Sequence, residues 1–196
     1  MKVRNPMPMK KKSTHRGTKV IVVINQKGGP GKTTLAYHLA HAGVVDKHSR
    51  VLCLDMDSQG NLSQYLTDDL DISSVTEGGV GALFEGASPQ PMKTTHPQID
   101  LLHGHSELDR YDSDDSAVEL AWSKATPELL RGLGYDLVII DTPPALGLRH
   151  VAPLFWADVA VIPLEPAATG ITGFQNVLKL IDKEVTRSNP NLTWVG

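Results

Sequence analysis

The sequence predicts an α/β domain in which a mostly parallel sheet lies between two layers of helices. Short apolar runs rich in β-branched residues alternate along the chain with longer segments of helical spacing. That alternation is typical of parallel strands joined by crossover helices. The 196 residues are enough for one domain with a substantial core. No internal repeat or linker divides the sequence, so we expect a single domain.

The strands are predicted where short apolar runs, many of them β-branched, stand between turn signals. They cover the segments 20–24, 50–55, 99–103, 136–141, 158–163 and 192–195. Runs that are apolar at nearly every position, such as "VIVVI" at 20–24, are typical of strands buried on both faces. These runs therefore favour the interior of a parallel sheet.

The helices are predicted from apolar residues three and four positions apart. Two of them cover 33–42 and 170–187, and another ends over 127–132. A short helix is predicted near 80–85, inside the turn-rich stretch 70–98. Gly43 is expected to end the first helix. The last helix carries an apolar stripe that we interpret as core packing, formed by Ile171, Phe174, Val177, Leu178, Ile181 and Val185. Residues 107–119 hold six acidic residues against one arginine and are interpreted as a solvated helix face or loop.

The composition excludes several classes of protein. Cys53 is the single cysteine, so neither a disulfide framework nor a cysteine-ligated cluster can form within the chain, and its apolar neighbours indicate a core position. No stretch approaches the ~18 apolar residues of a membrane span. The basic start is not followed by the apolar run of a secretory signal. We therefore expect a soluble, cytoplasmic protein.

Charge is distributed unevenly within a net charge of −3. Residues 1–19 hold seven of the 19 basic residues and no acidic residue, which leaves twelve basic against 22 acidic residues for the rest. Residues 1–18 are also rich in proline, methionine and lysine, and we expect them to form a disordered basic arm before a domain at 19–196. The pattern leaves two roles open for this N-terminal arm, a solvated tail or a contact to nucleic acid or another acidic surface.

A glycine-rich loop, "KGGPGKTT" at 27–34, follows the first predicted strand and precedes the first predicted helix. In that context backbone N–H groups and the helix N-terminus converge on negative charge, which indicates a phosphate site. Gly28, Gly29 and Gly31 let the backbone wrap closely around phosphates. Pro30 has no N–H, so that position cannot donate to a phosphate.

The side chains of the loop suit a nucleotide with a metal ion. Lys32 can reach the β- and γ-phosphates, Thr33 offers a hydroxyl to Mg²⁺, and Thr34 can contact the α-phosphate. The usual pattern requires a glycine where Gln26 stands, and the loop carries a second lysine, Lys27, instead. Two cations beside each other in one loop repel, so the second one requires a specific role.

"KGGPGKTT" resembles the deviant Walker A motif of the ParA/MinD family of dimerising ATPases. Three further stretches resemble family motifs that occur in the same order. The stretch "LDMDSQGN" at 54–61 resembles switch I, and "LVIIDTPPALG" at 137–147 resembles the Walker B strand and switch II. The stretch "AVIPLEPAATGITG" at 160–173 resembles the strand and loop that face the dimer partner. The resemblance covers roughly residues 19–196. It implies a three-layer P-loop NTPase fold.

The resemblance also implies roles for the site residues. It assigns ATP binding to Gly28, Gly29, Pro30, Gly31, Lys32, Thr33 and Thr34. Lys27 is implied to reach across a face-to-face dimer to the other subunit's nucleotide, as an arginine finger does, and to be catalytic with Lys32 and Asp57. Asp57 matches the acid that positions the attacking water.

The remaining acids are implied to serve the metal. Thr33 and Asp141 would hold Mg²⁺, Asp141 through water, and Asp55 can support the metal shell. The alternative for such acids is to cap strand ends in turns. The resemblance implies slow, Mg²⁺-dependent ATP hydrolysis, because the site is complete only in the dimer.

Within the family, Asn25-Gln26 and the stretch 58–61 favour the ParA side over the MinD side. The sequence shows no C-terminal amphipathic membrane helix, and the residues before the first strand are too few for a helix-turn-helix domain. Family members usually continue for several strands and helices beyond the strand near Leu192. We therefore expect a shortened fold that lacks those last elements, which supply much of the adenine pocket and many DNA-binding basic residues.

The leading hypothesis is a ParA-type ATPase that forms an ATP-dependent sandwich dimer. With a ParB-like partner it would partition plasmid DNA, chromosomal DNA or another cargo on the nucleoid. The alternatives are a MinD-like positioning ATPase bound to a membrane, and a shortened, catalytically weak binding module. Any DNA binding is expected to be weak, salt-sensitive and dependent on Lys10, Lys11, Lys12 and Arg16. The rival DNA surface on the folded domain consists of Arg149, Lys179, Lys183 and Arg187.

Overall fold

The computed structural model describes residues 17–46, 48–68, 79–165 and 168–196, and side chains throughout these ranges except at 168–170. Within the described residues, seven strands form one sheet in the order β3-β4-β2-β5-β1-β6-β7. The strands are β1 Lys19–Val23, β2 Val51–Asp55, β3 Met92–Lys93, β4 Ile99–Leu102, β5 Leu137–Asp141, β6 Val159–Val161 and β7 Thr193–Val195. All neighbours are parallel except β3, which pairs antiparallel with β4. The mostly parallel sheet is confirmed.

Helices cover both faces of this sheet. They are α1 Lys32–Gly43, α2 Asn61–Thr67, α3 Asp115–Trp122, α4 Ala125–Gly132, α5 Leu148–Trp156 and α6 Ala168–Leu180. α6 continues as a π-helical turn over Ile181–Val185, and 3₁₀ segments cover Val80–Phe84 and Ser106–Ser113. No described helix has the length and apolar character that crossing a bilayer requires.

Two hydrophobic clusters, one on each face of the sheet, form the core. Every residue of β2 is buried, and its side chains alternate between the clusters, with Leu52 and Leu54 in one and Val51 and Cys53 in the other. Helices α3 to α6 cover the first cluster, and α1 and α2 cover the second. The three-layer α/β architecture is therefore confirmed, and Cys53 is the buried core residue that the sequence predicts.

Two helices were missed by the sequence patterns. α2 lies in the polar stretch after β2, and its buried apolar side chains are only Leu62 and Leu66, too few for a visible stripe. α5 contains Pro153, a residue that normally argues against a helix interior because it lacks an N–H. Ile171 corrects the predicted stripe of α6, since it is 49% exposed while Val177 is fully buried.

The N-terminal arm falls almost wholly outside the described residues, which begin at Gly17. The disorder predicted for residues 1–16 therefore stays a prediction. Thr18, which we assigned to the arm, is in contact with the domain. Its hydroxyl lies 2.6 Å from the carbonyl oxygen of Tyr135 and 3.2 Å from that of Arg131. The folded domain thus begins at or before Thr18.

Candidate functional site

The carboxyl ends of three neighbouring strands bring the acidic residues together. Asp141, the last residue of β5, is in register with Asp55 at the end of β2 and with Val23 at the end of β1. The loop from β1 to α1 leaves the sheet at the same edge. In parallel α/β sheets this edge is where ligands bind.

Glycine and asparagine shape the loop between β1 and α1. Gly29 and Gly31 have φ values of 87° and 80°, a left-handed conformation that other residues adopt only with strain. The buried Asn25 side chain fixes the start of the loop, because its amide donates to Pro163 O (2.8 Å) and its oxygen accepts from Lys27 N–H (3.0 Å). A Cβ on Gly173 of α6 would lie 2.5 Å from that asparagine oxygen. The loop is therefore held against β6 and α6.

Lys32 stands in the first turn of α1 and is almost fully buried. Its ammonium donates to Lys27 O at 3.0 Å, so it lies under the loop. Burial lowers the pKa of Lys32, and the nearby charges of Asp141 and Asp57 partly offset this effect. The structure thus brings together the lysine and the two carboxylates that the sequence predicted to form one site.

Asp141 is buried, and its carboxylate lacks a hydrogen bond of good geometry although the Thr33 hydroxyl lies nearby. Neither of its carboxylate oxygens makes a hydrogen bond within the described part of the chain. Burial raises the pKa of Asp141 most, and the charge of Asp55 adds to the increase, while the Thr33 hydroxyl and the Lys32 charge lower it. A buried carboxylate with bare oxygens is costly unless something positive binds it, so Asp141 fits a ligand of a cation.

Asp55 differs from Asp141 because both of its oxygens accept hydrogen bonds. One accepts from the backbone and hydroxyl of Ser63 on α2, at 2.9 and 2.7 Å, and the other from the Asp57 N–H at 3.2 Å. Burial nevertheless raises the pKa of Asp55. These bonds tie α2 and the β2–α2 loop to the strand end, and the metal role predicted for Asp55 stays a prediction.

Asp57 is half-buried in the β2–α2 loop and near Lys32. One carboxylate oxygen accepts from Gln59 N–H at 3.1 Å. Behind it the chain is tightly packed, since a Cβ on Gly104 would lie 2.5 Å from Asp57 O. The backbone of Asp57 is therefore held in place, and its carboxylate can accept further hydrogen bonds.

Lys27 forms an ion pair within its own chain. Its ammonium contacts the carboxylate of Glu165, in the loop after β6, and the two side chains are 28% and 41% exposed. Leu164 of the same loop is exposed, as are Leu146 in the loop after β5 and Ile171 in α6. The second lysine of the glycine loop is thus partly exposed, while Lys32 is buried.

Arg149 corrects the sequence interpretation. It was one of the basic residues considered for a DNA surface, and that assignment is wrong, because Arg149 is 3% exposed and ion-paired with Asp109 and Asp112. Its partners lie 37 and 40 positions away in the sequence. Ser63 and Thr142, whose hydroxyl donates to Val23 O at 2.9 Å, were also missed. No spacing rule links such residues, so only the fold reveals them.

Comparison with known proteins places these features in one family. The family model AAA_31, described as an AAA domain, matches residues 18–194. The chain is 34% identical to the chromosome-partitioning ATPase Soj of Thermus thermophilus over 90% of this chain and 66% of that protein. It is 30% identical to the chromosome partitioning protein ParA of Myxococcus xanthus over 91% of this chain and 63% of that one. The chain thus spans about two thirds or less of the length of these relatives.

A solved structure gives the same picture of the fold. Cobyrinic acid a,c-diamide synthase from Mycobacterium smegmatis, with bound ATP analogue and magnesium, superposes with a TM-score of 0.75 at 28% identity. The superposition covers 91% of this chain and 73% of that one.

Proposed function

Because the chain belongs to the ParA/MinD family of deviant Walker A ATPases, close to the ParA-type partition ATPases, we propose that it binds ATP with Mg²⁺ and hydrolyses it. One observation carries the proposal. The ammonium of Lys32 lies beside Asp57 and Asp141, at the strand ends and under the N-terminus of α1. A buried lysine at a helix N-terminus suits a polyphosphate.

The glycine loop would hold the phosphates. The backbone N–H groups of Gly28, Gly29 and Gly31 and the N-terminus of α1 offer donors to them. Lys32 would contact the β- and γ-phosphates, replacing its bond to Lys27 O, and Thr34 the α-phosphate. Pro30 has no N–H to donate, so it would contribute only to the conformation of the loop.

Thr33 and Asp141 would hold the magnesium ion. The residues fit, because the buried oxygens of Asp141 make no hydrogen bond of good geometry and the Thr33 hydroxyl lies close enough to lower the pKa of Asp141. A bound dication would favour the ionised form of Asp141, against the burial that raises its pKa. The chemistry that such an ion supplies is neutralisation of charge on the phosphate oxygens. Asp55, whose oxygens are already bonded, would instead hold the loop that carries Asp57.

Asp57 would orient the attacking water, with its main chain fixed by Asp55. Lys27 would act in the other subunit of a face-to-face dimer, where a cation delivered in trans stabilises charge on the transferring phosphoryl group. In the single chain Lys27 is engaged with Glu165. Dimer formation would therefore exchange an intramolecular ion pair for contact with the partner's nucleotide, which is a reason for slow hydrolysis by the monomer.

Lys27→Ala is expected to lower ATP hydrolysis by roughly 1,000-fold or more, because an arginine finger delivered in trans contributes about 10³- to 10⁵-fold. ATP affinity of the monomer should stay within about threefold, a difference of less than 1 kcal/mol, since Lys32 still serves the same subunit's phosphates. Steady-state phosphate release and calorimetric titration with ATP measure the two quantities.

Glu165→Gln is the matched variant for that experiment. It removes the partner of Lys27 but leaves the lysine, so its hydrolysis should equal or exceed that of the wild type. Light scattering with ATP and Mg²⁺ reports the dimer for all three proteins. Wild-type protein that neither binds ATP nor dimerises would refute the proposed function. A Lys27→Ala variant with wild-type turnover would refute only the role in trans.

We also propose, from the names of its relatives, that the ATP-bound dimer partitions DNA or another cargo with a ParB-like partner, working on the nucleoid in the cytoplasm. Charge decides where DNA would be contacted. Lys179, Lys183 and Arg187 are exposed, but Asp182 and Glu184 stand among them. The folded domain therefore offers no concentrated basic surface along this described helix, and the N-terminal arm is the stronger candidate.

Removal of residues 1–17 is expected to weaken DNA binding by the ATP-bound protein and to flatten its salt dependence. Each lost phosphate contact removes about 0.9 from the slope of log affinity against log salt. Fluorescence anisotropy at two salt concentrations measures both effects, and replacing Lys10, Lys11, Lys12 and Arg16 with glutamine is the matched full-length variant. An unchanged affinity and slope would assign DNA binding to the folded domain.

A further inference from the structure

Arg149, in the first turn of α5, joins three segments that are far apart in sequence. Its Nη1 donates to Met56 O in the β2–α2 loop at 3.2 Å. Its Nη2 donates to Asp109 at 2.6 Å and to Asp112 at 2.7 Å, and its Nε lies 3.2 Å from Asp112. The guanidinium is planar, so one side chain fixes these partners relative to each other.

The contact to Met56 acts on the residue next to it. The Met56 carbonyl and the Asp57 N–H belong to one planar peptide group. Arg149 holds the oxygen of that group, and Asp55 accepts from its N–H at 3.2 Å. The preceding Met56 N–H donates to Asp141 O at 2.9 Å. The main chain entering Asp57 is therefore fixed from two strands and one helix.

The acidic partner ties the same arginine to the loop 142–147. Asp112 accepts from the Arg149 N–H at 3.1 Å, and a Cβ on Gly147 would lie 2.6 Å from its carboxylate carbon. Asp112 thus lies directly against the main chain where the loop meets α5. A shift of this loop would move the guanidinium and, through it, the Met56–Asp57 peptide.

We propose that Arg149 is a positioning residue. It fixes the position of the Asp57 carboxylate through the Met56–Asp57 peptide, and it couples that position to the loop 142–147. The inference rests on the proposed function of Asp57 in orienting water. It gives Arg149 no contact with the nucleotide. Asp112 orients the guanidinium, and Asp109, whose side chain is 68% exposed, is the dispensable partner.

Arg149→Lys separates positioning from charge. Lysine keeps the positive charge beside Asp112, but one ammonium cannot reproduce the fork that reaches both Asp112 and Met56 O. We expect kcat for ATP hydrolysis to fall roughly 10- to 100-fold, as for small misplacements of a reacting group. KM for ATP should stay near its wild-type value, while the melting temperature falls by a few degrees because buried hydrogen bonds of Arg149 are lost. A lower melting temperature with kcat unchanged would show a structural role only.

The variant Asp57→Asn supplies the second test. If Arg149 acts through Asp57, Arg149→Lys should cause no further loss of kcat in the Asp57→Asn background, whereas independent effects multiply. The controls are Asp109→Asn, which removes a charge partner without touching Met56, and Arg131→Gln, which removes the exposed ion pair to Asp158. Both should keep wild-type kcat. Multiplied losses in the double variant would overturn the proposal.

Amide hydrogen exchange separates this inference from the proposed function. In Arg149→Lys the amide of Asp57 should exchange at least about tenfold faster, while the amides of α1 stay protected as in the wild type. This measurement needs no ATP hydrolysis. Wild-type protein without ATPase activity would refute the proposed function alone, and unchanged exchange at Asp57 would refute the positioning role.

Discussion

Lys32→Ala is expected to lower ATP affinity by at least about 100-fold, because two or more charge-assisted hydrogen bonds worth about 1.5 kcal/mol each are removed. Lys32 is the cation buried under the glycine loop, beside Asp57 and Asp141. Without it, two carboxylates would face the phosphates and repel them. Calorimetric titration with ATP and Mg²⁺ measures the loss.

Two comparisons make this result specific to the charge. Lys32→Met keeps most of the aliphatic stem in its buried position and should lose affinity like the alanine variant. Lys183→Ala removes an exposed lysine from the π-helical turn after α6 and should bind ATP normally. Wild-type affinity in Lys32→Met would contradict the assignment of the loop as the phosphate site.

Asp57→Ala is expected to bind ATP but hydrolyse it roughly 100-fold or more slowly, since a positioned acid–base group contributes that much. The phosphate cradle of α1 and the glycine loop does not involve Asp57, so the ATP-bound dimer should form and persist. Size-exclusion chromatography with light scattering, in ATP and Mg²⁺, should show a dimer that outlives that of the wild type.

Loss of the Asp57 side chain also removes its hydrogen bond to Gln59 N–H. Asp57→Asn keeps an oxygen that can accept that bond, so a locked dimer in both variants would trace the effect to the lost charge. Asp182→Ala, at an exposed position, is the control for removal of an acidic side chain. A monomeric Asp57→Ala variant beside a dimeric wild type would contradict the role of Asp57.

Local patterns were sufficient to predict the central architecture and the position of the glycine loop between β1 and α1. The apolar runs that form β1, β2 and β5 are buried on both faces, and strands of that kind are recognisable in the sequence as nearly continuous apolar runs. Asp55 and Asp141 followed directly, because they end two of those runs. The glycines of the loop needed no tertiary information, since a strand before them and a helix after them already indicate the geometry.

Long-range contacts could not be predicted in the same way. Two hydrogen bonds, from Asn25 to Pro163 O and from Arg149 to Met56 O, each join residues more than 90 positions apart. The sequence patterns missed α5 because it contains a proline, and they missed α2 because it is short. These features depend on which strands become neighbours, and periodicity within a segment carries no such information.

The gathering of Asp55, Asp57 and Asp141 has a consequence for the lifetime of the protein. Folding raises the pKa values of Asp55 and Asp141, chiefly through burial. The charge of Asp55 adds to the increase at Asp141, and the charge of Asp57 adds to the increase at Asp55. A carboxyl whose pKa rises on folding opposes folding when ionised, so this penalty is absent in acid and grows as the pH rises. A ligand that brings positive charge to this edge of the sheet offsets the penalty and binds only the native state. The unfolded fraction, on which cellular proteases act, therefore shrinks with occupancy. Turnover of the polypeptide would then follow the nucleotide supply of the cell.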